Sequence, residues 1–123
     1  MLNKKQKFGE EGESLAAKAL RKKGYKILEQ NYRTKLGEID IIAKEKDTIV
    51  FIEVKARKSL HYGSPKWAVT PKKQRKISMV ALYYLKSTQQ SQAKARFDVV
   101  SIGPSPENSA IEIIKNAFEL AYN

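Results

Sequence analysis

Two strongly β-like runs, Glu38–Ala43 and Thr48–Ala56, joined by the polar turn Lys44–Asp47, constrain what this chain can fold into. Both read as buried strands, yet each carries charge in its middle: Asp40 in the first, Glu53 and Lys55 in the second. A buried charge is costly unless it is paired or binds a metal. Side chains alternate between faces along a strand, so Glu38, Asp40 and Ile42 share one face of the first run and Ile39, Ile41 and Ala43 the other. In the second run Ile49, Phe51, Glu53 and Lys55 share a face, opposite Val50, Ile52, Val54 and Ala56. Apolar residues on both faces predict a central strand covered on both sides by helices.

The flanking segments supply those helices. From about Lys7 to Lys23, Phe8, Gly12, Leu15, Ala16, Ala19 and Leu20 repeat at helical spacing. The basic Arg21-Lys22-Lys23 suits a last turn, and Gly24 suits the position after it. Glu13 falls at the border of this apolar stripe, where its periodicity favours solvent. Tyr25–Arg33 reads as a first strand, with Tyr25, Ile27 and Glu29 on one face. Thr70 as N-cap and Pro71 at the first helical position open a second helix. Ile77, Val80, Ala81, Tyr84 and Leu85 form its stripe, and Gln74 lies one turn before Ile77. After a polar linker, Arg96–Ile102 reads as a fourth strand and Ile111–Ile114 as a short edge strand, followed by a weak terminal helix to Tyr122. The pattern predicts one α/β domain over residues 1–123, a sheet layered with helices.

Composition narrows the partner. Lys and Arg total 24 against 13 Asp and Glu, a formal net charge of +11 and a pI near 9.8. That balance favours polyanions, with nucleic acid first and an anionic membrane surface second. Cysteine is absent, which excludes disulfides and thiolate metal sites. Met1–Glu13 is charged and lacks an apolar core of the kind signal peptides carry, and the run Ile49–Ile52 is far too short to span a bilayer. The expectation is a cytoplasmic protein with no membrane segment.

The inward-pointing polar set is Asp40, Glu53 and Lys55, with Glu38, Glu13 and Gln74 as further candidates. A hairpin between the two charged strands sets Asp40 alongside Glu53. Two adjacent carboxylates repel, and a divalent cation with oxygen ligands relieves the repulsion. An all-oxygen donor set suits Mg²⁺ or Mn²⁺, and a single imidazole, His61, argues against zinc. Lys55, two residues beyond Glu53, could hold a phosphate oxygen or position an attacking water, as phosphodiester hydrolysis requires. The plainer reading is a cross-strand salt bridge, contributing roughly 0.2–1 kcal/mol.

Gly37-Glu38-Ile39-Asp40, Phe51-Ile52-Glu53-Val54-Lys55 and Arg57 resemble the Asp…Glu-x-Lys signature of the restriction-endonuclease-like nuclease superfamily. The wider set adds Gly9-Glu10, Gly12-Glu13, Ala16-Ala17, Asn31-Tyr32-Arg33, Lys73-Gln74, Tyr84-Leu85 and Arg96-Phe97-Asp98. In this order it resembles the YraN family of small bacterial proteins, which look like relatives of archaeal Holliday-junction resolvases. The resemblance implies an αβββαβ core with a mixed central sheet. It implies metal ligands at Asp40, Glu53 and the Val54 carbonyl, with Lys55 catalytic, Glu13 completing the site from the first helix and Gln74 reaching it from the second. Ile39 stands where the superfamily often has proline.

Arg33, Lys35, Arg57, Lys58, Lys66, Lys72, Lys73, Arg75 and Lys76 are candidates for phosphate contact around this site. Tyr62 and Trp67 are candidates for stacking or loop packing, and Asp98 reads as a partner for a nearby Arg or Lys. The leading functional expectation is a Mg²⁺- or Mn²⁺-dependent endonuclease acting on branched or otherwise non-standard duplex DNA. A non-catalytic nucleic-acid-binding module with the same fold, and a protein adaptor, are the competing classes. A symmetrical junction substrate would favour a homodimer.

Overall fold

The computed structural model describes residues 15–56, 69–103 and 110–120. Helix α1 covers 15–22 of these and is followed by β1 (Lys26–Thr34), β2 (Gly37–Glu45), β3 (Thr48–Ala56), α2 (Pro71–Ser87), β4 (Lys94–Gly103) and β5 (Ala110–Phe118). The five strands form one sheet in the order β1-β2-β3-β4-β5. β3 and β4 run parallel, joined across α2, and the remaining neighbours are antiparallel. The sheet is mixed, with helices on both faces: a restriction-endonuclease-like α/β core.

Each face has its own apolar cluster. Ala16, Ala17 and Leu20 of α1 pack on Ile41, Ala43, Val50, Ile52, Val100 and Ile102. Ile77, Val80, Ala81, Tyr84 and Leu85 of α2 pack on Ile42, Ile49, Phe51, Phe97 and Val99. The alternation read in β3 therefore holds, and its neighbours cover it on both edges. Backbone chemistry sets the helix ends. Gly24 (φ +93°) ends α1, with Tyr25 N–H donating to the Leu20 carbonyl at 3.0 Å and Gly24 N–H to Arg21 at 3.1 Å. Thr70 caps α2 by accepting from Lys73 N–H at 3.1 Å, with Pro71 in the first turn.

Three local expectations need correction. The short edge strand Ile111–Ile114 extends to Ala110–Phe118, and no helix follows within residues 110–120; Tyr122 lies outside the described residues. Pairing with β4 outweighs the helical propensity of this segment: Phe118 stacks on Phe97 at 4.8 Å between ring centroids. Asn116, at φ +52°, turns its N–H to Asp98 at 3.1 Å. In β1, Tyr25 and Ile27 share the α1 side and Leu28 takes the α2 side as read, but a register shift between Ile27 and Glu29 pairs Glu29 with Ile42, an α2-side residue, so Glu29 leaves the Ile27 face. In β2, Ile39 clusters with the α2-side residues and not with Ile41 and Ala43, at the end of the strand where pairing with β3 has ceased.

A polar network ties the α1 face together. Asp98, fully buried, accepts from Tyr25 Oη at 2.8 Å and from Arg96 Nε at 3.0 Å. Arg96 also reaches Glu45 at 2.7 Å, and Lys115 joins Glu45 at 3.1 Å. Asp98 is thus the ion-pair partner its sequence context predicts. Removing one member of a buried charge network strands the others, so Asp98→Ala is expected to cost about 3–5 kcal/mol in urea unfolding. A loss under about 1 kcal/mol, the range of an exposed ion pair, would contradict that account.

Candidate active site

The candidate site lies where β2 and β3 part. Their ladder runs from Glu45↔Thr48 to Ile41↔Ile52, and the next pair in this register would be Asp40 and Glu53. There the Asp40 side chain takes over from the backbone, its Oδ2 accepting from Val54 N–H at 2.8 Å. Gly37 opens β2 at φ +150°, and a Cβ there would meet Val80 Cγ2 at 3.4 Å. Glycine lets the strand start beneath α2. Across the gap, the first turns of α2 present Lys73 and Lys76. The result is a small pocket of about 160 Å³ lined by Gly37, Glu38, Asp40, Glu53, Lys73, Lys76 and Ile77. A larger groove of about 500 Å³ lies along the far part of α2 and is lined largely by Phe51, Leu85, Phe97 and Phe118. It holds no paired carboxylates.

Burial and charge set the protonation of this pocket. Glu53 is only 4% exposed. Burial, then the neighbouring Asp40, push its carboxyl up to about 7, with Lys73 and Lys55 pulling the other way. Asp40 is also raised, chiefly by burial, against the opposing Val54 N–H and Lys73; the two carboxyls share a hydrogen bond. Lys73 forms a salt bridge with Glu53. Burial would lower the Lys73 ammonium, but its bond to Glu53 and the two carboxylates hold it above the ordinary value. Lys55 is lowered, first by burial and then by the adjacent Lys73 charge.

The donor set is chemically suited to a hard divalent cation: a buried and a half-buried carboxylate whose mutual repulsion a +2 charge would relieve. Among the described residues, no three His, Cys, Asp or Glu side chains gather into a metal-sized cluster. Glu13, the third acid implied by resemblance, lies outside the described residues, as do Arg57, Lys58, Lys66, His61, Tyr62 and Trp67. Gln74 is half-buried near the site, but its Nε2 donates to the Val69 carbonyl at 2.8 Å and it is not among the pocket-lining residues. Arg33 pairs with Glu38 at 3.5 Å, while Lys35 and Lys72 are exposed and Arg75 is half-buried.

Two features escaped the sequence reading. Lys73 is grouped there with the surface phosphate contacts, yet it bonds Glu53. Its position one helical turn before Ile77, and two before Val80, was the available signal. Ser101 is the second. It is fully buried, stands opposite Lys55 in the parallel β3–β4 register, and its Oγ has no hydrogen-bond partner among the described residues. Only the strand pairing brings it there, and sequence pattern does not specify that pairing.

The fold is a restriction-endonuclease-like α/β core, which supports a relationship to the nuclease superfamily. Residues 12–102 match the model of Uncharacterised protein family UPF0102. The chain belongs to the UPF0102 family. It is 52% identical over 119 residues to a UPF0102 protein of Desulfosudis oleivorans, covering 97% of this chain and 95% of that one. A UPF0102 protein of Syntrophus aciditrophicus is 55% identical (93% and 90% covered), and one of Geobacter metallireducens 56% identical (94% of each).

The raised Glu53 pKa fixes a pH dependence for the metal-free protein. Between the ordinary value of 4.5 and about 7, the folded state holds a proton on Glu53 that the unfolded state releases. This contribution is therefore fully present below pH 4.5 and is lost as pH rises through 7, by on the order of 3 kcal/mol. Urea unfolding of wild type and Glu53→Gln at pH 5 and pH 8 reads it as a difference: wild type should lose more stability than the variant. Parallel changes would contradict it. Ser101→Ala deletes an unpartnered buried hydroxyl and should leave the melting temperature unchanged or higher; a substantial fall would show that the hydroxyl is bonded.

Proposed function

We propose that the chain is a Mg²⁺- or Mn²⁺-dependent endonuclease that hydrolyses DNA phosphodiesters, with branched or otherwise non-standard duplex DNA as substrate. The observation that carries this reading is the pairing of buried Glu53 with half-buried Asp40 in one pocket with Lys73, beside a lowered Lys55. Asp40, Glu53 and the Val54 carbonyl would hold the cation. When bound, it would supply positive charge to the phosphoryl oxygens and lower the pKa of a coordinated water.

The chain's own residues would do the rest. Asp40 is held in place by the Val54 N–H at its Oδ2 and stands beside Glu53 in the pocket. Lys55, beside the acids, would hold a phosphate oxygen or position the attacking water. Lys76, exposed at the pocket mouth, and the start of α2 bind phosphate. The net charge of +11 draws the polyanion in. Glu13, Gln74 and the basic residues Arg57, Lys58 and Lys66 belong to this reading as its remaining contacts, and a symmetrical junction would engage two copies of the chain. No helix among the described residues is long and apolar enough to cross a membrane.

The test is cleavage of labelled linear and branched DNAs by the full chain with Mg²⁺ or Mn²⁺. Wild type should cut branched substrates. Asp40→Asn and Lys55→Met should each lose at least about 10²-fold, the usual worth of a positioned catalytic group. No cleavage by wild type, or equal cleavage by Asp40→Asn, would overturn the proposal. Salt-dependent DNA binding without cleavage would mark the non-catalytic binding module instead.

A further inference from the structure

We propose that Lys73 is a built-in counterion of the acid pair, holding Glu53 in the metal-free protein and leaving it when a divalent cation binds. The inference rests on reading Asp40 and Glu53 as ligands, and goes beyond it by assigning Lys73 a role against the metal. Three observations carry it. The Lys73 ammonium bonds Oε1 of Glu53, one of the two carboxylates that would hold the cation. The Glu53 side chain is 5% exposed, so water cannot replace that charge, whereas the Lys73 side chain is 42% exposed and can swing outward. Thr70 anchors the Lys73 backbone in the first turn of α2, which fixes the stem while the long side chain remains mobile in reach.

Charge arithmetic gives the competition its sign. Asp40 and Glu53 together carry at most two negative charges, and Lys73 already offsets one of them. A divalent cation alone neutralises the pair, so keeping Lys73 on Glu53 as well would place like charges together. Lys55 adds a further positive charge on the same side, and Glu38 is the remaining acid on the pocket wall. Displacement of Lys73 sets a threshold concentration below which the site stays closed to metal. The released ammonium stands at the pocket mouth, free to take a phosphate of the bound polyanion.

Isothermal titration of Mn²⁺ into the metal-free full chain tests this without relying on activity. Lys73→Met and Lys73→Gln should bind Mn²⁺ at least about fivefold more tightly than wild type, the low end of ordinary coupling between competing ligands. Lys73→Arg, which keeps the charge, should stay near wild type. Lys86→Met removes an exposed charge in the last turn of α2, away from the pocket, and should stay near wild type too. A damaged fold lowers affinity, so tighter binding cannot arise from misfolding. Equal or weaker binding by both Lys73→Met and Lys73→Gln, with binding lost in Asp40→Asn, would overturn the counterion and leave the metal site standing. Undiminished binding by Asp40→Asn would instead overturn the metal site itself.

Discussion

Two carboxylates cannot both stay ionised in a buried pocket unless positive charge sits between or beside them. Asp40 and Glu53 are forced into that position by the β2–β3 register, which carries them to the point where the ladder opens. The opening is part of the device. A continued ladder would bond Val54 N–H to the backbone of β2, and Asp40 would have no fixed orientation. With the strands apart, the Asp40 carboxylate takes the Val54 N–H and is held by it. The pocket, the helix start above it and the charges around it all follow from that fork.

The surrounding core makes the fork rigid. β3 is covered by apolar clusters on both faces, so its C-terminal end cannot shift to relieve the repulsion. Thr70 and Pro71 start α2 at a fixed point, and packing of Ile77 and Val80 lays its first turn across the acids. On the opposite face, Asp98 gathers Tyr25, Arg96 and the backbone of Asn116, and ties β4 and β5 to the start of β1. One face thus satisfies its buried charges internally, through complete pairing. On the other, Glu53 leans on one half-exposed lysine and Asp40 on a backbone N–H, partners that an external cation can displace or supplement.

Much of this was legible in the residues. Charges breaking apolar alternation identified Asp40, Glu53 and Lys55, and the Thr70-Pro71 start placed α2, because both signals are local. What was hidden depended on tertiary pairing. The β5 extension comes from Phe118 finding Phe97, although its Glu119-Leu120 end reads as helical. Displacement of Ile39 from strict alternation follows from the fork, which no periodicity shows. Lys73 looked like one of four basic residues at a helix start, and only the packing angle of α2 chooses it for Glu53. Ser101 became visible only through the parallel register with Lys55.

Asp40 and Glu53 form one electrostatic unit, each shifting the other's charge. The most direct measurement is a ¹³C NMR titration of the Glu53 carboxyl carbon in wild type and Asp40→Asn, each with and without Mg²⁺. Without metal, wild-type Glu53 should titrate near 7 and fall when Asp40 is neutralised. Mg²⁺ should lower it in wild type far more than in the variant. A Glu53 that titrates at an ordinary carboxyl value and ignores both Asp40 and Mg²⁺ would contradict the account.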